Sequence, residues 1–240
     1  MLPRKDWPPD LVFLLLFRLL LAVAIGVSVL SIAAAALKKG GTTLPPVAEI
    51  ILGGLAVQGS GLLLIHLFLR SAQRTWSAAF GFSKTAARAI AWGAAAALTV
   101  LPVAYVLQSG CAWLLEQAGV ASAPQHSVEL LVKDGSLATR TVIGLFAVVL
   151  APIVEESLFR GLLYPLLRDL GWPRVALVSS ALLFGAIHLN LAAFLPLSLF
   201  GATLAWLYAR TGNLLAPITA HAVFNLAPFV LLAAGVDFGQ

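Results

Sequence analysis

Seven stretches of this 240-residue sequence are apolar and each is close to, or longer than, the length needed to cross about 30 Å of hydrocarbon. They lie at residues 11–37, 44–69, 89–108, 141–167, 173–190, 193–209 and 214–235. The chain is 60% hydrophobic and 10% charged, with mean hydropathy +0.97, where soluble domains carry roughly 25% charged residues. The expected fold is an all-α polytopic membrane bundle of seven transmembrane helices. An eighth arises if the long connection 109–140 contributes one, because its pieces "CAWLLEQAGV" and "SVELLVKDG" alternate apolar and polar residues at the spacing of short interfacial helices. Residues 1–240 read as one integral membrane domain, since spans of this length leave little for a soluble module.

The first run follows Arg4 and Lys5 and ends in small residues, as a secretory signal does, but 27 residues exceed the usual 7–15 of a signal's apolar region. It reads as a span. Cys111 is alone, which removes intrachain disulfides and thiolate-rich metal sites. The net charge of +5 comes from basic residues at the ends of apolar runs, the pattern of membrane orientation and not of nucleic-acid binding. With a cytoplasmic N-terminus the inner side receives Arg4, Lys5, Arg70, Arg74, Lys84, Arg88, Arg168, Arg174 and Arg210; the outer side receives Lys38, Lys39, Lys133 and Arg140. The balance favours N-in.

Against this background "VEESLFR" stands out, because Glu155, Glu156 and Arg160 sit inside the fourth run. A centrally placed charge costs roughly 2.5–3.5 kcal/mol on insertion scales. Glu156 and Arg160 are four apart and face each other in the favourable order, so they make a self-neutralising pair. Glu155, about 100° further round the helix, is left as a spare carboxylate. At 1.5 Å per residue it lies about 20 Å from the inner end at Arg168, and His188 in the fifth run lies about 22 Å deep. In the seventh run His221 and Asn225 are four apart and share a face, but His221 is only about 10 Å deep, which asks for a tilt or an earlier helix start. Arg18, His66, Arg70 and His126 are read as interfacial or loop residues, and the glycines of "GGLAVQGSG" as points of close helix approach.

"EESLFR", "FGAIH" and "HAVFN" have the forms Glu-Glu-x-x-x-Arg, Phe-x-x-x-His and His-x-x-x-Asn, in that order on successive C-terminal spans. In this the sequence resembles the family of CAAX prenyl proteases and bacteriocin-processing enzymes, which are intramembrane endopeptidases. The resemblance covers about residues 141–229, with "FGFSK" at 80–84 as an echo of a family loop. It implies that Glu155 and His188 activate the attacking water, that His221 and Asn225 stabilise the tetrahedral oxyanion, and that Glu156 and Arg160 are structural or position substrate. Amide hydrolysis needs such a base and such donors. The reading favours metal-free hydrolysis; the alternative is a divalent cofactor, zinc, on Glu155, His188 and His221 with water in the fourth place.

The family's substrates imply a membrane-anchored protein or peptide: a C-terminal tail, a sorting anchor or a bacteriocin leader. Membrane lipid is the other partner. The alanine-rich composition is that of a GC-rich bacterial genome, which gives a bacterial inner membrane as the expected location. Two readings of other classes compete. One is a non-catalytic immunity or binding protein of the same family. The other is a proton-coupled transporter using the buried carboxylate and histidines as a relay, which predicts internal inverted repeats that the sequence does not display.

Overall fold

The computed structural model describes residues 2–82, 85–120 and 136–235. Eight helices run through them: α1 (Pro9–Lys39), α2 (Pro46–Ser71), the short α3 (Trp76–Phe80), α4 (Ala86–Gln117), α5 (Leu137–Asp169), α6 (Pro173–Ala186), α7 (Leu191–Thr211) and α8 (Leu215–Ala233). Six are long and apolar enough to cross a membrane, and α6 is a shorter apolar helix. The seven apolar stretches thus become seven helices of an all-α bundle. Side chains such as Phe17, Leu20 and Ile32 stand exposed on α1, an arrangement suited to lipid and not to water.

Two helices depart from the expected boundaries. "CAWLLEQ" is not a separate interfacial helix but the last two turns of α4, which passes through Pro102 without ending; in a bundle, neighbouring helices tolerate the lost backbone bond. The second piece, "SVELLVKDG", lies outside the described residues, as do His126, Ser83 and Lys84. The fifth run was expected to stay helical to residue 190, yet α6 stops at Ala186. Leu189 takes a positive φ of 50°, which a right-handed helix cannot continue, and the Asn190 side chain caps the next helix by accepting from Ala193 N–H at 3.0 Å. His188 therefore sits in a turn between α6 and α7.

Packing places α7 at the centre, with 61% of its apolar window buried inside the protein against 11% for α1. It lies against α4 and α6, while α8 packs along α4 and the first half of α5, and α1 packs chiefly on α2. The glycines of α2 behave as expected at two positions. A side chain on Gly54 would run into the Phe146 ring, and one on Gly61 would come within 2.5 Å of Val154 Cγ1, so both let α2 lie close on α5.

At the end of the bundle where α1 begins and α5 finishes, residues 2–7 lie across α5. Arg168 donates to the carbonyls of Leu2 (3.0 Å) and Pro3 (2.8 Å), and the Lys5 N–H donates to Asp169 Oδ2 (2.7 Å). Trp7 Nε1–H donates to the Gly161 carbonyl at 2.9 Å, and Lys5 Nζ to the Ala79 carbonyl at 2.7 Å. Arg74 covers the Trp7 ring at 4.7 Å. We call this the basic end.

Candidate active site

Helix α5 bears the two glutamates, and it is wound unusually around them. Residues Ala151–Glu156 are α-helical between two π-helical stretches, Leu145–Leu150 and Ser157–Leu163. Such wider turns are frequent at functional sites. Across the second of them Arg160 still reaches back to Glu156, with NH1 donating to Oε1 at 2.9 Å and both side chains fully buried.

The pair is not self-contained, as the sequence suggested it would be. His221 Nδ1 lies 2.8 Å from the same Glu156 Oε1, and Arg160 NH2 donates to the Gly201 carbonyl of α7 at 2.9 Å. Spacing along one helix reveals the first bond; the other two join different helices, and Gly201 of α7 has no side chain to signal its part. Gly201 matters because a Cβ there would sit 3.2 Å from Arg160 NH2 and 3.1 Å from the Ala181 backbone. A carboxylate only accepts, so His221 Nδ1 carries the proton in this bond. Its other nitrogen, Nε2, is 4.0 Å from Glu155 Oε2.

Glu155 is the spare carboxylate that the sequence indicates. Its side chain is 22% exposed, and its Oε2 is a buried oxygen without a hydrogen-bond partner. An orphaned buried carboxylate oxygen is costly, and such atoms persist where a site needs them. His188 Nδ1 donates to the Phe184 carbonyl at 2.7 Å, which leaves Nε2 of the neutral ring as an acceptor. His188 makes no direct ion pair with Glu155. It joins the site through Phe184, whose fully buried ring lies 5.0 Å from the His188 ring, 5.4 Å from that of His221 and 4.4 Å from Arg160 Cζ. Phe159 and Phe200 close the aromatic surround at 5.6 and 6.3 Å from Phe184. Phe184 is visible in the sequence only as the residue four before His188; its role as a platform between two histidines requires the fold.

Asn225 Nδ2 donates to the Ala147 carbonyl at 2.8 Å, in the first π-helical stretch of α5. That bond fixes which end of the amide is nitrogen and leaves its second N–H free to turn elsewhere. His221 and Asn225, one turn apart on α8, are thus each tied to α5 by a hydrogen bond.

The depth mismatch between Glu155 and His221 has a different resolution from the two expected. The last helix begins no earlier than drawn, at Leu215. Instead α5, at 33 residues, is about 50 Å long and outruns a 30 Å hydrocarbon layer. Its final turns, beside the N-terminal segment, project past the level at which α8 starts. Glu155 thus lies about 20 Å from the end of α5 and yet level with His221, about 10 Å from the start of α8.

Glu155, His188 and His221 offer a carboxylate and two imidazole nitrogens, a donor set that zinc accepts. Among the described residues, however, no three His, Cys, Asp or Glu side chains are grouped so as to hold a metal ion. As placed, the three do not form that ligand set.

Comparison with known proteins points to the same helices. Residues 137–227 match the family described as Type II CAAX prenyl endopeptidase Rce1-like. A "Putative membrane peptidase YdiL" of Bacillus subtilis is 35% identical over 77 residues, 32% of this chain and 32% of that protein. The human "CAAX prenyl protease 2" is 29% identical over 112 residues, 38% of this chain and 34% of that protein. The chain spans about a third of the length of the curated relatives it matches. No solved structure matches it significantly. Through α5 to α8, the helices that build the site, this chain is similar to the Rce1-like type II CAAX prenyl endopeptidases.

Proposed function

We propose that this chain is an intramembrane endopeptidase acting on a membrane-anchored protein or peptide, and that Glu155 is its general base. The observation that carries the reading is the buried Glu155 Oε2 without a hydrogen-bond partner, 4.0 Å from His221 Nε2 and beside the Glu156–Arg160 pair, where Glu156 Oε2, Ser157 Oγ and Arg160 Nε are likewise left without one. Glu155 takes a proton from a water, which the free Nε2 of His188 helps to orient. The resulting hydroxide adds to the substrate's carbonyl carbon. His221 Nε2–H and the second amide N–H of Asn225 donate to the oxyanion. Because Nδ1 of His221 already donates to Glu156, Nε2 can donate only from the imidazolium form. Collapse breaks the C–N bond, and the proton held by Glu155 passes to the leaving amine.

The relatives' names support a peptidase of membrane substrates, and prenylated C-termini are one substrate class by that analogy. A helical substrate has to unwind first, since a helix engages its own carbonyls. The expected location is a bacterial inner membrane with the basic end facing the cytoplasm. Glu155→Gln keeps size and removes the base, so cleavage of a reconstituted membrane-anchored reporter should fall by about 10²–10⁴-fold, with insertion and thermal stability unchanged. Wild-type turnover by this variant would end the assignment.

A further inference from the structure

The residues of "FGFSK" that the structure describes sit where two helices of the site meet. Phe80, fully buried at the end of α3, does two things at once. Its ring fills the notch left by Gly161 on α5, where a Cβ would collide with Phe80 Cε1. Its carbonyl accepts from Leu214 N–H at 2.9 Å, at the first turn of α8. Gly81 follows with φ +76°, and a side chain there would collide with the Gly212 carbonyl, so the loop can lie this close to the α7–α8 turn only as glycine. Gly161 is five residues beyond Glu156, and Leu214 is seven before His221. One residue therefore touches both helices whose side chains meet in the Glu156–His221 bond.

The clamp is itself held from below. Lys5 Nζ donates to the Ala79 carbonyl, and Trp7 Nε1–H to the Gly161 carbonyl, so the N-terminal segment grips both sides of the Phe80 contact. Trp76 is packed on Phe80 at 5.4 Å, and its own indole N–H reaches His66 Nδ1 at 3.3 Å. This is a rigid footing for an exposed-end loop.

We propose that Phe80 is a positioning residue. It sets the axial register of α5 against α8, and so the Glu156–His221 hydrogen bond that orients the His221 ring. A displacement of about 1 Å in a site of this kind costs on the order of 10²-fold in rate. The inference rests on the peptidase reading only for its activity readout.

The test uses the full chain in lipid nanodiscs, labelled with ¹⁵N-histidine, with cleavage of a membrane-anchored reporter peptide measured in parallel. Gly161→Ala pushes a methyl into the Phe80 ring; it should shift the His221 Nδ1 resonance, leave His188 unmoved, and lower kcat about 10–100-fold with KM unchanged. Adding Phe80→Leu makes room for the methyl and should restore both signals. If Gly161→Ala does not fold, Phe80→Leu alone empties the notch while keeping the carbonyl bond, and it should shift His221. An unmoved His221 resonance in a folded single variant overturns the proposal. So does a shift of His221 and His188 together that tracks lost thermal stability, because a merely structural contact would behave that way. A wild-type protein that cleaves nothing while the resonances move as expected would sink the peptidase reading and leave the clamp standing.

Discussion

Glu156 holds two partners through one oxygen, Arg160 and His221, and its side chain is fully buried. Replacing it by glutamine leaves a buried guanidinium without its counter-charge, a loss of about 3–5 kcal/mol by the usual behaviour of broken buried pairs. Glu156→Gln and Arg160→Ala should therefore lower the yield of folded protein and its melting temperature in detergent, whereas Glu155→Gln should not. Asn225 offers a sharper contrast. On the proposed mechanism Asn225→Ala removes an oxyanion donor, and it should then reduce turnover by about 10²–10³-fold. Asn225→Asp keeps the shape but has no N–H for the Ala147 carbonyl, so its activity should be no better than that of alanine; wild-type activity in Asn225→Asp would argue against donation by this side chain. At this scale the sequence was informative about which residues matter and poor on what they touch. Glu156 and Arg160 were pairable from spacing because both lie on one helix. The bonds of His221 to Glu156 and of Arg160 to Gly201 cross between helices, and no periodicity within one helix encodes them.

Helices were legible for a related reason: an apolar run of fixed length in lipid has few alternatives, so seven runs gave seven helices. Their ends were not. Ala186 closes α6 because the Asn190 cap and the left-handed Leu189 win over continued hydrophobicity, and α4 runs on past Cys111 because its polar residues can stand outside the hydrocarbon. The close approach of α2 to α5 was readable from its glycines, and it makes a prediction. Gly61→Leu should wedge the helices apart at Val154 and destabilise the protein by about 1–3 kcal/mol, the usual penalty of overpacking, with a melting curve in detergent as the check. The N-terminal segment makes another. Burial, and then the charges of Arg74 and Arg168, hold the Lys5 amine below the ordinary lysine value, with Asp169 acting the other way. The unfolded chain thus binds the proton more tightly, so stability rises as pH climbs from the folded value of Lys5 toward the unfolded one. Lys5→Met should flatten that rise on the alkaline side below about pH 10; identical slopes for the two proteins would show that Lys5 does not titrate with folding.

On the scale of the whole molecule, orientation and metal content are both open to direct measurement. If the N-terminus is cytoplasmic, as the balance of basic residues favours, a cysteine placed at Arg4 in a Cys111→Ser background should react with an impermeant maleimide only when the cytoplasmic side is exposed. Purified protein should hold no stoichiometric metal and keep its activity in chelator; one zinc per chain, with activity lost on chelation and regained on return, would replace side-chain catalysis by a zinc mechanism. The last consequence lies in α6. Its 14 residues span only about 21 Å, some 9 Å short of the hydrocarbon layer, and it ends next to His188 with Leu189 94% exposed. Such a negative hydrophobic mismatch is relieved by thinning of the adjacent leaflet. Thinning beside α6 would make a shallow funnel there, which brings water toward His188 and, on the proposed function, gives a membrane-anchored substrate a lateral entry. Reconstitution in lipids with shorter acyl tails should accordingly raise turnover relative to long-tailed lipids, since the thinner film meets the stub of α6 without deformation.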